Sequence, residues 1–388
     1  LLSGVKTRLL KLFFNLKTFS KSRKILHILA YGSYEEKVIS EIDAVISNME
    51  NKALENLNVR VELIKLESLG HKLFKEKKLE LSTNDVFRFI HDFPMNKTEA
   101  LVWHALTKVI NRRLQHNWYK DRLVLLVCNE KASSTLHELV LSKIMSDFKN
   151  VNRGLNIQRG ITYGHNEEGS AAVVNGSLPY YFPDGGIVRG PYMPLPGNIH
   201  KIALYQCKVV LLTRHPADRI VARRCMNFSE AEKNRFLQEL EEGKAFKHHI
   251  HRQSDSSLRF TLDWLAGWLE RYNGSETLLV TRYEDMIFNS KAHFERIFKF
   301  MTNEDMPLSY WNKIKLQLPR SMPGGDLQPG ETQYRTYPRG YTGDVGVWKN
   351  YFSEEDKAEY NEVVSSFLKF HPARDLVTNL YPDILLQE

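Results

Sequence analysis

The stretch Asp121–Leu141, DRLVLLVCNEKASSTLHELVL, decides the fold. Leu123–Val127 is an unbroken apolar run, the pattern of a strand covered on both faces. Asn129–Lys131 breaks the run. Ser133, Ser134 and Thr135 then stand where a helix would begin, and Leu136, Leu139, Val140 and Ile144 follow at helical spacing. A helix that starts directly after a buried strand aims several backbone N–H groups at one spot, and its dipole adds partial positive charge there. Lys131 supplies a full charge and the three hydroxyls supply further donors, so the turn predicts an anion site. Many α/β proteins have such turns and bind nothing at them. The Walker A glycines are absent, which argues against an ATPase or GTPase of the usual kind.

Three further segments point the same way. Lys208–Phe228, KVVLLTRHPADRIVARRCMNF, opens with a second buried strand over Val209–Leu212. Arg214 stands at its end and Pro216 at a favourable helix-start position. Thr277–Asp285, TLLVTRYED, is a third apolar strand, ending in Tyr283, Glu284 and Asp285. Tyr341–Tyr351, YTGDVGVWKNY, is a glycine-bearing loop that runs into an aromatic and basic segment. Open α/β sheets place their ligands at strand C-terminal ends.

Together the four segments resemble the sulfotransferases that use 3′-phosphoadenosine 5′-phosphosulfate (PAPS). The resemblance runs from near residue 121 to near 370, about two thirds of the chain. It implies a P-loop-like sulfotransferase architecture, a central parallel sheet flanked by helices, in a domain at 119–388. Residues 1–118 would form an N-terminal α/β extension or lobe. In the family the first loop holds the 5′-phosphosulfate; here it is Lys131, Ala132, Ser133, Ser134 and Thr135, with Leu136 next. The strand-end arginine that binds the 3′-phosphate corresponds to Arg214, and the tyrosine that touches adenine to Tyr283. The late glycine segment corresponds to Gly343, Gly346, Trp348, Lys349 and Asn350.

The implied reaction moves a sulfuryl group from PAPS to a hydroxyl or amine of a small-molecule or carbohydrate acceptor, by in-line attack and without a metal. Such chemistry depends on positioning and charge stabilisation. Lys131 would stabilise the leaving phosphate, and Arg214 would select the 3′-phosphate through a fork-shaped contact that lysine cannot copy. A non-catalytic nucleotide- or polyanion-binding protein of the same fold is the alternative, with a P-loop-type kinase a weaker third.

The departures concern both phosphates and the base. Ala222 stands eight positions after Arg214, where the family has a serine on the 3′-phosphate. Arg223 or Arg224 would have to substitute. Tyr341 and Thr342 replace the Arg-Lys that precedes the late glycine, and Arg339 is the nearby cation. Many family members use a histidine base about two dozen residues before the arginine; Tyr192 stands near that place. An unperturbed tyrosine, with a pKa of about 10, is a poor base at neutral pH. Tyr192 ranks first by position and His200 second by chemistry, with Asp184, Glu138 and His137 also in reach. Tyr192 as pocket lining and His200 as a surface histidine are the bland readings.

Composition fits an ordinary globular chain of 388 residues, 26% charged and 42% hydrophobic. The formal charge of +8 suits anionic ligands. No nucleic-acid-binding pattern is present, so no nucleic-acid partner is expected; a homodimer is left open. Cys128, Cys207 and Cys225 are too few and too odd in number for a disulfide framework, which favours a cytoplasmic setting. Four glycosylation tripeptides, at Asn96, Asn175, Asn227 and Asn273, carry little weight. No apolar run is long enough to span a membrane. Because the chain begins at Leu1, a Golgi lumen location behind an upstream anchor is the alternative.

Upstream, Lys24–Tyr31 reads as a strand, Glu35–Met49 as a helix and Val59–Leu66 as a strand, a β-α-β unit. Ser82–Phe93 and Thr98–Leu114 read as helices. Gly154–Pro196 reads as specificity loops around a short strand at Gly186–Arg189, and Ser321–Tyr341 as a lid. His248, His249 and His251 lie in a charged helical stretch, where a solvated helix end outweighs a metal site. Ser353–Leu368 reads as a helix capped by Ser353.

Overall fold

The computed structural model describes residues 36–52, 60–74, 97–116, 123–128, 132–149, 186–225, 230–251, 257–272, 274–316, 318 and 344–387. The chain divides into two compact units, residues 1–116 and 117–388.

In the first unit the described residues form three helices: α1 (Glu36–Lys52), α2 (Arg60–Phe74) and α3 (Lys97–Gln115). Val38, Ile42, Val45, Ile46 and Met49 recur along one face of α1 and pack with Leu66 and Leu69 of α2 and Leu101, Ala105 and Val109 of α3. The strand expected over Val59–Leu66 is corrected: from Arg60 onward it is the start of α2. Burial follows the helical period, with Glu62, Leu66 and Leu69 inside, while Val61 and Ile64 are exposed. The expected β-α-β unit therefore lacks its second strand. Its first strand, Lys24–Tyr31, and the helix expected over Ser82–Phe93 lie outside the described residues.

The second unit is α/β. β1 (Leu123–Cys128) leads through α4 (Ser134–Lys149) to β2 (Gly186–Gly190), and α5 (Pro196–Tyr205) leads to β3 (Lys208–Thr213). Then come α6 (Pro216–Cys225), α7 (Glu230–Glu241), α8 (Lys247–His251) and α9 (Leu258–Tyr272). β4 (Leu278–Arg282) is followed by α10 (Tyr283–Phe288), α11 (Ser290–Thr302) and α12 (Leu308–Lys315). A 3-10 turn (Val347–Asn350), α13 (Glu354–Phe370) and α14 (Arg374–Leu380) close the chain. The four strands are parallel in the order β2-β1-β3-β4.

Every residue of β1 and β3 is buried, as the apolar runs require. On one face Val124, Leu126, Val210 and Leu212 pack against Leu136, Val140, Leu141 and Ile144 of α4 and Phe294, Ile297, Phe298 and Met301 of α11. Leu139, read from the sequence as part of that stripe, is 47% exposed; Leu141 takes its place. Tyr283, Glu284 and Asp285, expected at the end of a strand, instead open α10. All three cysteines are buried. No described helix is long and apolar enough to cross a membrane.

Candidate active site

The strand order sets where a ligand can sit. From β1 the chain crosses to β2 on one side, and β3 on the other side of β1 leads on to β4. The connections diverge between β1 and β3, and a crevice opens at the carboxyl ends of strands that diverge in this way. Register places the end of β1, Cys128, opposite Leu212, and Thr213 opposite Arg282. The turns after β1, β3 and β4 therefore lie along one edge of the sheet.

After β1 the chain must reverse into α4 within a few residues. Ser133 absorbs the reversal with φ of 59°, a left-handed conformation that costs a non-glycine residue about 1 kcal/mol. Ser133 and Ser134 are half-buried, whereas Ala132 and Leu136 are packed into the core, which leaves the last two only backbone groups to offer a ligand. Lys131 and the side chain of Thr135 lie outside the described residues. His137, on the next turn, donates its backbone N–H to the Ser133 carbonyl at 3.1 Å.

After β3, Arg214 is only 6% exposed. Its guanidinium lies over the Tyr283 ring, 4.1 Å from the centroid, and donates to the Asp344 carbonyl at 3.2 Å. A stacked, desolvated guanidinium of this kind is worth about 2 kcal/mol and is fixed in direction. The neighbours of Tyr283 hold the same turn. Glu284 accepts the His215 backbone N–H at 2.8 Å, and burial raises its carboxyl above the usual range. Asp285 accepts from Arg282 at 2.6 Å and from Arg296 at 3.5 Å. Arg214 takes one face of Tyr283, so that ring serves first as its platform.

The late glycine loop is tied to the same place. Asp218, in the first turn of α6, is fully buried and accepts the backbone N–H of Gly346 at 2.7 Å and of Trp348 at 3.1 Å. Gly346 has φ of +75°, where an L side chain is strained. Three segments far apart in sequence thus converge on one guanidinium. Sequence reasoning missed Asp218, and it named Glu284 only within the strand-end triplet, without a partner. An acidic residue in a first helical turn already answers to the dipole, and nothing in the sequence names a partner 128 positions away.

Ala222, in the place of the family serine, is buried in the core. Arg224 is held by Glu239 and lies over the Phe236 ring. Arg223 is half-buried on the last turn of α6, while Arg339 and Gly343 lie outside the described residues.

The base candidates fall apart in space. Tyr192 is 1% exposed, its carbonyl accepts the indole N–H of Trp264 at 2.8 Å and of Trp268 at 3.0 Å, and its ring fills the space against Gly190. Burial, with Cys128, Cys207 and Glu138 nearby, pushes its phenol further above the ordinary value, so these surroundings are those of a packing residue. His200 is exposed on α5. Glu138 on α4 pairs with Arg189 of β2 at 3.2 Å. Asp184 lies outside the described residues. His251 pairs with Glu359 at 3.0 Å, and among the described residues no three acidic, histidine or cysteine side chains are grouped to hold a metal.

Residues 187–371 match the family model of the sulfotransferase domain. This stretch is similar to a sulfotransferase domain. The domain so matched contains Arg214, Asp218, Tyr283, Gly346 and Trp348; the turn after β1 precedes it. Among solved structures, the crystal structure of mouse sulfotransferase SULT7A1 complexed with PAP aligns at 15% identity and a TM-score of 0.42, covering 69% of this chain and 93% of that one. No curated protein matches the chain.

Proposed function

We propose that this chain is a sulfotransferase that takes its sulfuryl group from PAPS and passes it in line to a hydroxyl or amine of a small-molecule or carbohydrate acceptor, with 119–388 as the working domain. The observation that carries the reading is the buried Arg214 guanidinium, stacked on Tyr283 and joined to the late loop at a strand end. A buried, pre-aimed fork is the group that distinguishes a 3′-phosphate from a bare ribose. Arg214, with Arg223, Arg339 and the Gly343 backbone, would hold the 3′-phosphate. Lys131, Ser133, Ser134 and Thr135, with the first N–H groups of α4, would hold the 5′ end. PAPS supplies the activated sulfuryl group. Lys131 would meet the charge that builds on the leaving phosphate, and no protein group need form a bond to sulfur. The burial of Tyr192 and of His137 leaves Glu138 and His200 as the described candidates for taking the acceptor's proton.

The buried phenol of Tyr192 and the buried Ala222 favour a second reading, a protein that binds the bisphosphate product and transfers nothing. Transfer of labelled sulfate from PAPS across a panel of hydroxyl and amine acceptors separates the two. The reading expects transfer, reduced roughly 100-fold or more in Lys131→Ala. Transfer that ignores the Lys131 change removes this mechanism, and bisphosphate binding without any transfer supports the second reading.

A further inference from the structure

Behind the turn after β1 lie two buried histidines that the scheme above does not use. The Ser133 carbonyl oxygen is 2.9 Å from His137 Nδ1, in addition to the His137 backbone N–H. A carbonyl has no proton to give, so Nδ1 carries the hydrogen and donates it. His137 Nε2 lies 2.8 Å from Nε2 of His293, which α11 brings from 156 positions away. One of these two nitrogens must donate. Burial holds His137 at about 4 and His293 at about 2, so both rings are neutral at pH 7. With its one proton on Nδ1, His137 accepts at Nε2 and His293 donates from Nε2. Both residues are buried, and Phe294 lies 5.4 Å from one ring and 5.3 Å from the other.

The consequence falls on one peptide group. Ser133 sits in a left-handed conformation, and its carbonyl is pinned by two donors of the same residue. A trans peptide is planar, so fixing that carbonyl also fixes the Ser134 N–H, which points the opposite way. That N–H belongs to the first residue of α4 and is among the groups a helix start leaves for a ligand.

We propose that His293 and His137 form a positioning relay for the donor turn: the His293 N–H supports the Nδ1–H tautomer that the Ser133 carbonyl also favours in His137, and His137 sets the Ser133–Ser134 peptide so that its N–H meets the 5′-phosphate. The relay rests on the PAPS reading. Neither histidine touches a reacting atom.

The test pairs binding with a spectroscopic readout. His293→Leu removes the donor at similar volume, while His293→Gln places a side-chain N–H near the same point. Affinity for adenosine 3′,5′-bisphosphate falls about tenfold in the Leu variant, the effect of one well-placed hydrogen bond, and returns in the Gln variant. Nitrogen-15 spectra of the imidazoles, taken without nucleotide, show His137 as the Nδ1–H tautomer in the wild type and Gln variant, and with a raised share of the Nε2–H tautomer in the Leu variant, where the Ser133 carbonyl alone holds the proton. Melting midpoints identify any loss that is only unfolding; if the Leu variant does not fold, His137→Asn, which retains an Nδ1-like donor and lacks Nε2, must bind the bisphosphate as the wild type does. Unchanged bisphosphate binding and an unchanged His137 tautomer in His293→Leu overturn the relay alone. A wild type with the Nδ1–H tautomer that does not bind the bisphosphate overturns the PAPS reading, and the role in donor binding with it.

Discussion

At the scale of single residues, Arg214 joins three segments of the second unit, and its aim depends on the residues packed around it. The Tyr283 ring fixes the plane of the guanidinium, the Asp344 carbonyl fixes one edge, and Asp218 fixes the loop that carries Asp344. Each bond to a buried carboxylate is worth about 1.5–3 kcal/mol, more than any single exposed ion pair in this molecule can supply. Asp218→Asn keeps one acceptor and turns the other into a donor facing a backbone N–H. We expect a drop of about 2 kcal/mol in stability, read by denaturant melting, together with weaker bisphosphate binding; unchanged stability would show that the clamp does not bear on the loop. Arg214 and Tyr283 were legible because they follow apolar strands in a recurring order. Asp218 and the contact made by Glu284 were not, because their partners are backbone groups brought close only by the fold. Tyr192 ranked first among the base candidates by position, and only the two indole donors and the surrounding core reveal its packing.

At the scale of elements, buried strands were the easiest to read. β1 and β3 appear as unbroken apolar runs because helices cover both faces of the sheet. The helix after Ser353 was equally plain: Ser353 accepts from the Asp356 N–H at 3.1 Å, and Asp356 reaches back to the Ser353 N–H at 3.0 Å. Ser353→Ala removes that capping box and is expected to lower stability by about 1 kcal/mol, read by thermal melting. A change within error would mean that packing of Tyr360, Val364 and Phe367 alone sets the start of α13. The segment after Val59 misled because Val59, Val61 and Leu63 alternate like a strand. Leu66 and Leu69 follow a helical spacing instead, and the partners that decide between the two periods, on α1 and α3, are distant in sequence.

At the scale of the whole molecule, a parallel sheet with a switch point between β1 and β3 brings the ends of separate βα units together. The charge of +8 adds a long-range attraction for polyanionic nucleotides, which raises encounter rates and is screened by salt. It does not choose among them; on the proposed reading the aimed guanidinium at residue 214 does. The measurement that tests this most directly is calorimetric titration of the protein with adenosine 3′,5′-bisphosphate and, separately, with adenosine 5′-monophosphate. We expect the bisphosphate to bind roughly 100-fold tighter, and Arg214→Lys to erase most of that preference while leaving the fold intact. Equal affinity of the wild type for the two nucleotides would contradict the assignment of Arg214 to the 3′-phosphate.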